Sequence, residues 1–217
     1  MQPTRSWRFV IWPGAITLAV TVLRLTGELM GWAPSLFNRA VGGGAAIVGI
    51  IWLVPVFGCY FALRLAAAAD RPRSLARALG ITVAAFAVLV GFLTLGFSRP
   101  TASATQFLAI GAGSGAAILV AWQAWPALVS TLVRYGLLAR LPVALVVLLG
   151  VLGDWKTHYD SPPPGLPEMG AIARWIAIGA IPQLTLWIAV TVVLGMLSGI
   201  TAAAIASRGP SRRLAEA

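Results

Sequence analysis

The amino-acid sequence predicts an all-α, polytopic helical membrane protein of about six transmembrane helices, with both termini cytoplasmic. Three observations carry that prediction. Of the 217 residues, 59% are hydrophobic and only 10% charged, whereas soluble domains carry about 25% charged residues. The apolar residues fall in long continuous runs, unlike the alternation over about 10 residues of a barrel strand. A run of about 20 such residues spans a bilayer as a helix that satisfies its own backbone hydrogen bonds. Finally, the basic residues collect in alternate connections, as cytoplasmic segments do.

The N-terminal stretch "MQPTRSWRFVIWPGAITLAV" has the basic-then-apolar order of a signal peptide. It lacks a small-x-small cleavage site and runs on into Arg24 and Glu28, so it reads as an uncleaved first span over residues 9–30. A second span covers 44–66, and a third, uncharged one covers 78–97. The fourth, 105–132, is long enough to tilt or to break at Pro126. The fifth, 138–155, starts near Pro142. The last apolar stretch, 171–206, exceeds one perpendicular span, and its first turns around Arg174 and Trp175 are assigned to the membrane interface before Pro182. Seven spans is the competing count. Residues 1–206 thus form one helical transmembrane domain, and 207–217 a short, polar, disordered cytoplasmic tail.

Orientation follows from the arginines. With the N-terminus inside, the cytoplasmic segments hold Arg5, Arg8, Arg64, Arg71, Arg73, Arg77, Arg134, Arg140, Arg208, Arg212 and Arg213, which is 11 of the 16 basic residues. Arg24, Arg39, Arg99, Lys156 and Arg174 fall outside. This bias suits a bacterial-type inner (plasma) membrane. The net charge of +10 therefore reflects topology and not nucleic acid. The single cysteine, Cys59, lies in an apolar helix and excludes an intrachain disulfide or a CxxC motif.

The opposite face collects Glu28, Asp154, Asp160, Glu168 and the only histidine, His158, the last within "GDWKTHYD". Arg24 and Glu28 are four residues apart and can pair on one helical face. If the fifth helix continues past its predicted end, Asp154 and His158 share a face by the same spacing. The candidate ligand-binding set is therefore Arg24, Glu28, Asp154, His158 and Asp160. Carboxylates with an imidazole can bind a polar ligand or handle protons near neutral pH. One histidine with no HExxH is no metal signature, and neither a cofactor nor a catalytic residue is assigned. Trp, Tyr, Lys and Asp also suit the plain end of a membrane helix.

Two GxxxG spacings, Gly111 with Gly115 and Gly195 with Gly199, predict close helix packing inside the bundle or a homo-oligomer contact. Trp52, Trp122, Trp125 and Trp187 fall deep in their spans, with Gln123 and Gln183 as nearby polar partners for their indoles. Functionally the chain reads as a non-enzymatic integral membrane protein, an accessory subunit or small carrier with an outward polar pocket near the ends of helices 1 and 5. The alternative is a membrane-embedded enzyme using His158 and nearby carboxylates as acid–base groups on a lipid-like substrate. The expected partners are the lipid bilayer, other membrane subunits or a second copy of the chain, and not nucleic acid.

Overall fold

The computed structural model describes residues 3–43, 46–97 and 103–208, and within them the chain is helical with no strand. Six helical segments follow in order: α1 Pro3–Leu29, α2 Leu53–Ala67, α3 Leu75–Phe97, α4 Ala104–Trp122, α5 Pro126–Gly153 and a broken α6, Ala171–Ser207. Five of them are long and apolar enough to cross a membrane, and α2, with 15 residues, is shorter. At 1.5 Å per residue α2 reaches about 22 Å and α5 about 42 Å, on either side of a hydrocarbon core about 30 Å thick. Leu108, Leu119, Leu145 and Ile205 point outward and are exposed, as a surface solvated by lipid allows. The chain is a helical membrane protein.

The interior is built on α2, α5 and α6. Phe57 and Phe61 each meet the Tyr135 ring edge-on, at centroid distances of 5.4 and 5.5 Å. The Tyr135 hydroxyl shares a 2.9 Å hydrogen bond with Thr17, which ties α1 to this core. Glycine brings α2 and α6 into backbone contact. A Cβ at Gly58 would lie 2.6 Å from the Gly195 Cα, and one at Gly199 would lie 2.6 Å from the Gly58 carbonyl oxygen. Such close approach adds dispersion and weak Cα–H contacts where no hydrophobic effect drives helix association.

Several boundaries differ from the sequence reading. The second helix begins at Leu53 rather than near residue 44. Gly42 and Gly43 adopt positive φ, and Gly49 lies against the Arg24 guanidinium, so this glycine-rich stretch is a loop folded around that side chain. The fourth helix ends at Trp122, and Pro126 opens α5, where its missing N–H costs nothing. Pro142 is therefore interior to α5, and Arg134 and Arg140 lie in a membrane span instead of a cytoplasmic segment. The fifth helix stops at Gly153, with Asp154 in the left-handed region at φ 49°.

In α6, a π-helical turn at Ile176–Ala180 and a break at Thr185 surround Pro182, which cannot donate to the helical ladder. Trp175 does not simply mark an interface. Its indole donates to the Ala144 carbonyl at 2.8 Å, and its ring packs with Val143, Val147 and Tyr159. Trp125 likewise uses Asp70 as acceptor, at 3.1 Å, rather than a glutamine. Ser207 ends α6, and residues 209–217, with most of the predicted tail, lie outside the described residues.

The GxxxG spacings separate. Gly195 and Gly199 face α2 and α5, whereas a Cβ at Gly111 or Gly115 would meet no atom within 4 Å. Internal packing is corrected for that second pair: Gly113 between them is the residue that meets α3, at Phe92. Gly58→Val is accordingly expected to destabilise the fold by about 3 kcal/mol, the overpacking range, and Gly111→Ala to leave it unchanged. Thermal unfolding of the detergent-solubilised variants measures both.

Candidate functional site

Glu28 closes the last turn of α1 with no exposed side-chain surface. An isolated carboxylate there would be costly, and three groups compensate it. The Arg24 Nε donates to Oε1 at 2.9 Å, one helical turn back. The His158 backbone N–H donates to Oε2 at 2.9 Å, and its Nδ1 lies 2.5 Å from Oε1. Arg24 also donates through Nη2 to the carbonyls of Gly43, at 2.9 Å, and Asn38, at 3.3 Å. Arg39 donates to the Glu28 carbonyl. One carboxylate thereby joins α1, the 30–52 connection and the loop after α5.

The loop holding His158 is shaped by Asp160. Its Oδ1 accepts from the Thr157 N–H at 2.8 Å and hydroxyl at 2.6 Å, and its Oδ2 accepts from the Lys156 N–H at 2.9 Å. Aspartate commonly rounds turns this way, by bonding nearby backbone. Asp160 therefore positions His158 and offers no carboxylate to a ligand. Asp154 does not join the cluster. It turns out to solvent and pairs with Lys156 at 2.8 Å, both side chains being well exposed. The shared face with His158 fails because α5 ends one residue earlier. Glu168 is exposed as well.

Arg24 and His158 line a cavity of about 500 Å³. Its walls come from residues 41–43 and 46–51, the first turns of α4, the second half of α5 and the broken part of α6. Most wall residues are apolar, among them Ile50, Ile110, Val143, Val147 and Ile178. Arg140, Gln183 and Trp187 border the same cavity. Arg140 lies mid-way along α5 and is 95% buried, its guanidinium carbon 4.7 Å from the Trp187 ring centroid and its Nη1 3.4 Å from the Gln183 oxygen.

Sequence reasoning missed Arg140, Gln183, Trp187 and Tyr159 as parts of one site. The available signal was an arginine inside the apolar run "LLARLPVALVV", set aside because Pro142 resembled a helix start.

Burial is the main influence on His158 and lowers its pKa below the usual histidine value of 6.5; the hydrogen bond to Glu28 opposes this, and the nearby Arg24 charge adds to it. The imidazole is thus neutral at pH 7, with Nδ1–H donating to Glu28. Among the described residues no hydrogen bond to Nε2 is seen, and His158 borders the cavity. Burial pushes the Tyr159 phenol up, so it stays protonated. An oriented neutral imidazole can accept a hydrogen bond or a proton from a ligand. Among the described residues, no three His, Cys, Asp or Glu side chains gather as a metal site would require.

Two outcomes follow from these contacts. Glu28→Ala leaves Arg24 buried without its counter-charge and is expected to cost about 3–5 kcal/mol in thermal unfolding. Because the folded His158 pKa is depressed, its contribution to stability is present above pH 6.5 and declines as pH falls below that value, until the imidazole titrates in the folded chain. His158→Asn should flatten that part of the stability–pH profile.

Comparison with known proteins returns no matching family model, no matching curated sequence and no matching solved structure, so the function is read from the cavity and the groups that line it.

Proposed function

We propose that this chain is an integral membrane protein that binds an amphiphilic small molecule in the cavity between α4, α5 and α6, as a small carrier or as an accessory subunit that presents the molecule to a partner. One observation carries the reading. A cavity of about 500 Å³ lies within the 300–1,000 Å³ range of small-molecule sites, and like them it has largely apolar walls with polar groups set among them, including Arg24, His158, Arg140, Gln183 and Ser161. Purely structural packing would fill such a space with side chains. The carboxylates nearest it, Glu28 and Asp160, are taken up by protein donors, which favours binding over acid–base conversion.

The enzyme reading keeps one specific support. Glu28 orients the imidazole through Nδ1, the arrangement by which a carboxylate fixes a catalytic histidine, and Nε2 is left for a substrate. We place the protein in a bacterial-type inner membrane with both termini cytoplasmic and His158 on the outer side. With Arg134 and Arg140 reassigned to α5, nine of the other 14 basic residues still fall on the cytoplasmic side, in support of that orientation.

Protein purified in mild detergent and extracted with organic solvent should release a discrete amphiphile in mass spectrometry. Ile178→Trp, which fills the cavity, should release at least about tenfold less, in line with an overfilled pocket. Equal amounts from both proteins would refute the binding reading. A new product mass formed from membrane lipid by the parent protein and not by His158→Asn would replace the carrier with the enzyme.

A further inference from the structure

The basic groups that line the cavity differ in charge balance. Arg24 has Glu28, and His158 is held against the same carboxylate. Arg140 has no carboxylate. Of the other acidic side chains in the described residues, Asp70 accepts from Trp125, Asp154 pairs with Lys156, Asp160 caps its own turn and Glu168 is exposed. Among the described residues the guanidinium donates to an amide oxygen at the long distance of 3.4 Å, its ring contact is Trp187, its nearby titratable groups are the neutral phenols Tyr135 and Tyr159, and its Nε has no acceptor.

A guanidinium cannot shed its charge to suit its surroundings. In the middle of a span, such a group is costly and faces a functional cavity by default. Trp187 offers a cation–π contact worth about 2 kcal/mol when desolvated, which does not replace a counter-ion. The planar fork of donors matches the two oxygens of a carboxylate or phosphate.

We propose that Arg140 receives the anionic headgroup of the cavity's ligand, which is therefore an oxyanion, a carboxylate or phosphate ester, carried on an apolar body. Gln183 fixes the guanidinium from the side through Nη1, leaving the rest of the fork for the anion. The apolar body runs along Val143, Val147, Ile178 and Ile110 toward His158. This assignment rests on the cavity being a ligand site.

Trp187 provides the readout, because a bromine seated beside Arg140 quenches its emission. In nanodiscs of neutral phosphatidylcholine, 2-bromostearate, whose bromine sits on the carbon next to the carboxylate, should quench saturably, whereas its uncharged methyl ester should not. Arg140→Gln should weaken the acid about thirtyfold or more, the cost of removing one partner of a buried charge pair. Trp187→Phe should remove most of the saturable signal. Competition by millimolar inorganic phosphate would assign the oxyanion to a soluble anion, and its failure to compete would assign it to an amphiphile; either keeps the oxyanion site.

Equal saturable quenching by acid and ester would overturn the role of Arg140 while leaving the cavity a ligand site. So would unchanged affinity in Arg140→Gln, or an unchanged signal in Trp187→Phe. Quenching by neither probe would remove the ligand site itself, and the inference with it. Should Arg140→Gln fail to fold, the acid–ester comparison on the parent protein decides alone.

Discussion

A carboxylate with no exposed surface, at the end of a membrane helix, survives only when its lone pairs are taken up and its charge is offset. Glu28 meets both conditions by drawing in three donors from two parts of the chain: Arg24 on its own helix, and the backbone and ring of His158 from beyond α5. Arg24 in turn reaches the 30–52 connection at Gly43 and Asn38. The loops at this end are thereby held by a charge that cannot be left alone, since removing either partner strands the other in a medium that solvates neither. The position of His158, and with it that part of the cavity wall, depends on this contact.

The cavity itself arises from a helix that does not run straight. Pro182 removes a donor in the first half of α6, and the π-turn at Ile176–Ala180 and the break at Thr185 absorb the mismatch. In hydrocarbon, irregular backbone is tolerated only where it is buried in protein or lines a cavity. Ala177, Ile178, Ile181, Pro182 and Gln183 all border the space in question. Beyond the break α6 regains regular geometry and packs through Gly195 and Gly199 onto α2. One helix thus has a rigid, glycine-packed half and an irregular half that shapes the cavity.

The opposite end is closed by different contacts. Arg64 sits 5.2 Å from the Phe9 ring centroid, and Trp125 donates to Asp70, so α1, α2 and the α4–α5 turn are joined where arginines are dense. Gly111 and Gly115, with open space before them, leave a small-residue surface on α4 turned away from the bundle. Among the described residues no atom packs against either glycine.

Composition and hydropathy were enough to establish a helical membrane protein of about six helices, because hydrocarbon solvation leaves a polypeptide of this make-up few alternatives. The Arg24–Glu28 pair was also legible, since spacing of four on a helix settles proximity locally. Helix limits were less so: Pro126 and Pro142 look alike in sequence, yet one opens α5 and the other lies within it, a choice made by what packs on each side. That choice moved Arg140 from the cytoplasmic start of a predicted span to the middle of α5. The partnership of Asp154 with His158 failed, and that of Glu28 with His158 appeared, because contacts 130 residues apart depend on how helices stack and not on any periodicity along the chain. The sequence by itself determined the solvent of this protein and its helical class. Tertiary structure alone decided which charges meet, since in a low-dielectric surround each buried ionic group is placed by partners contributed from other helices.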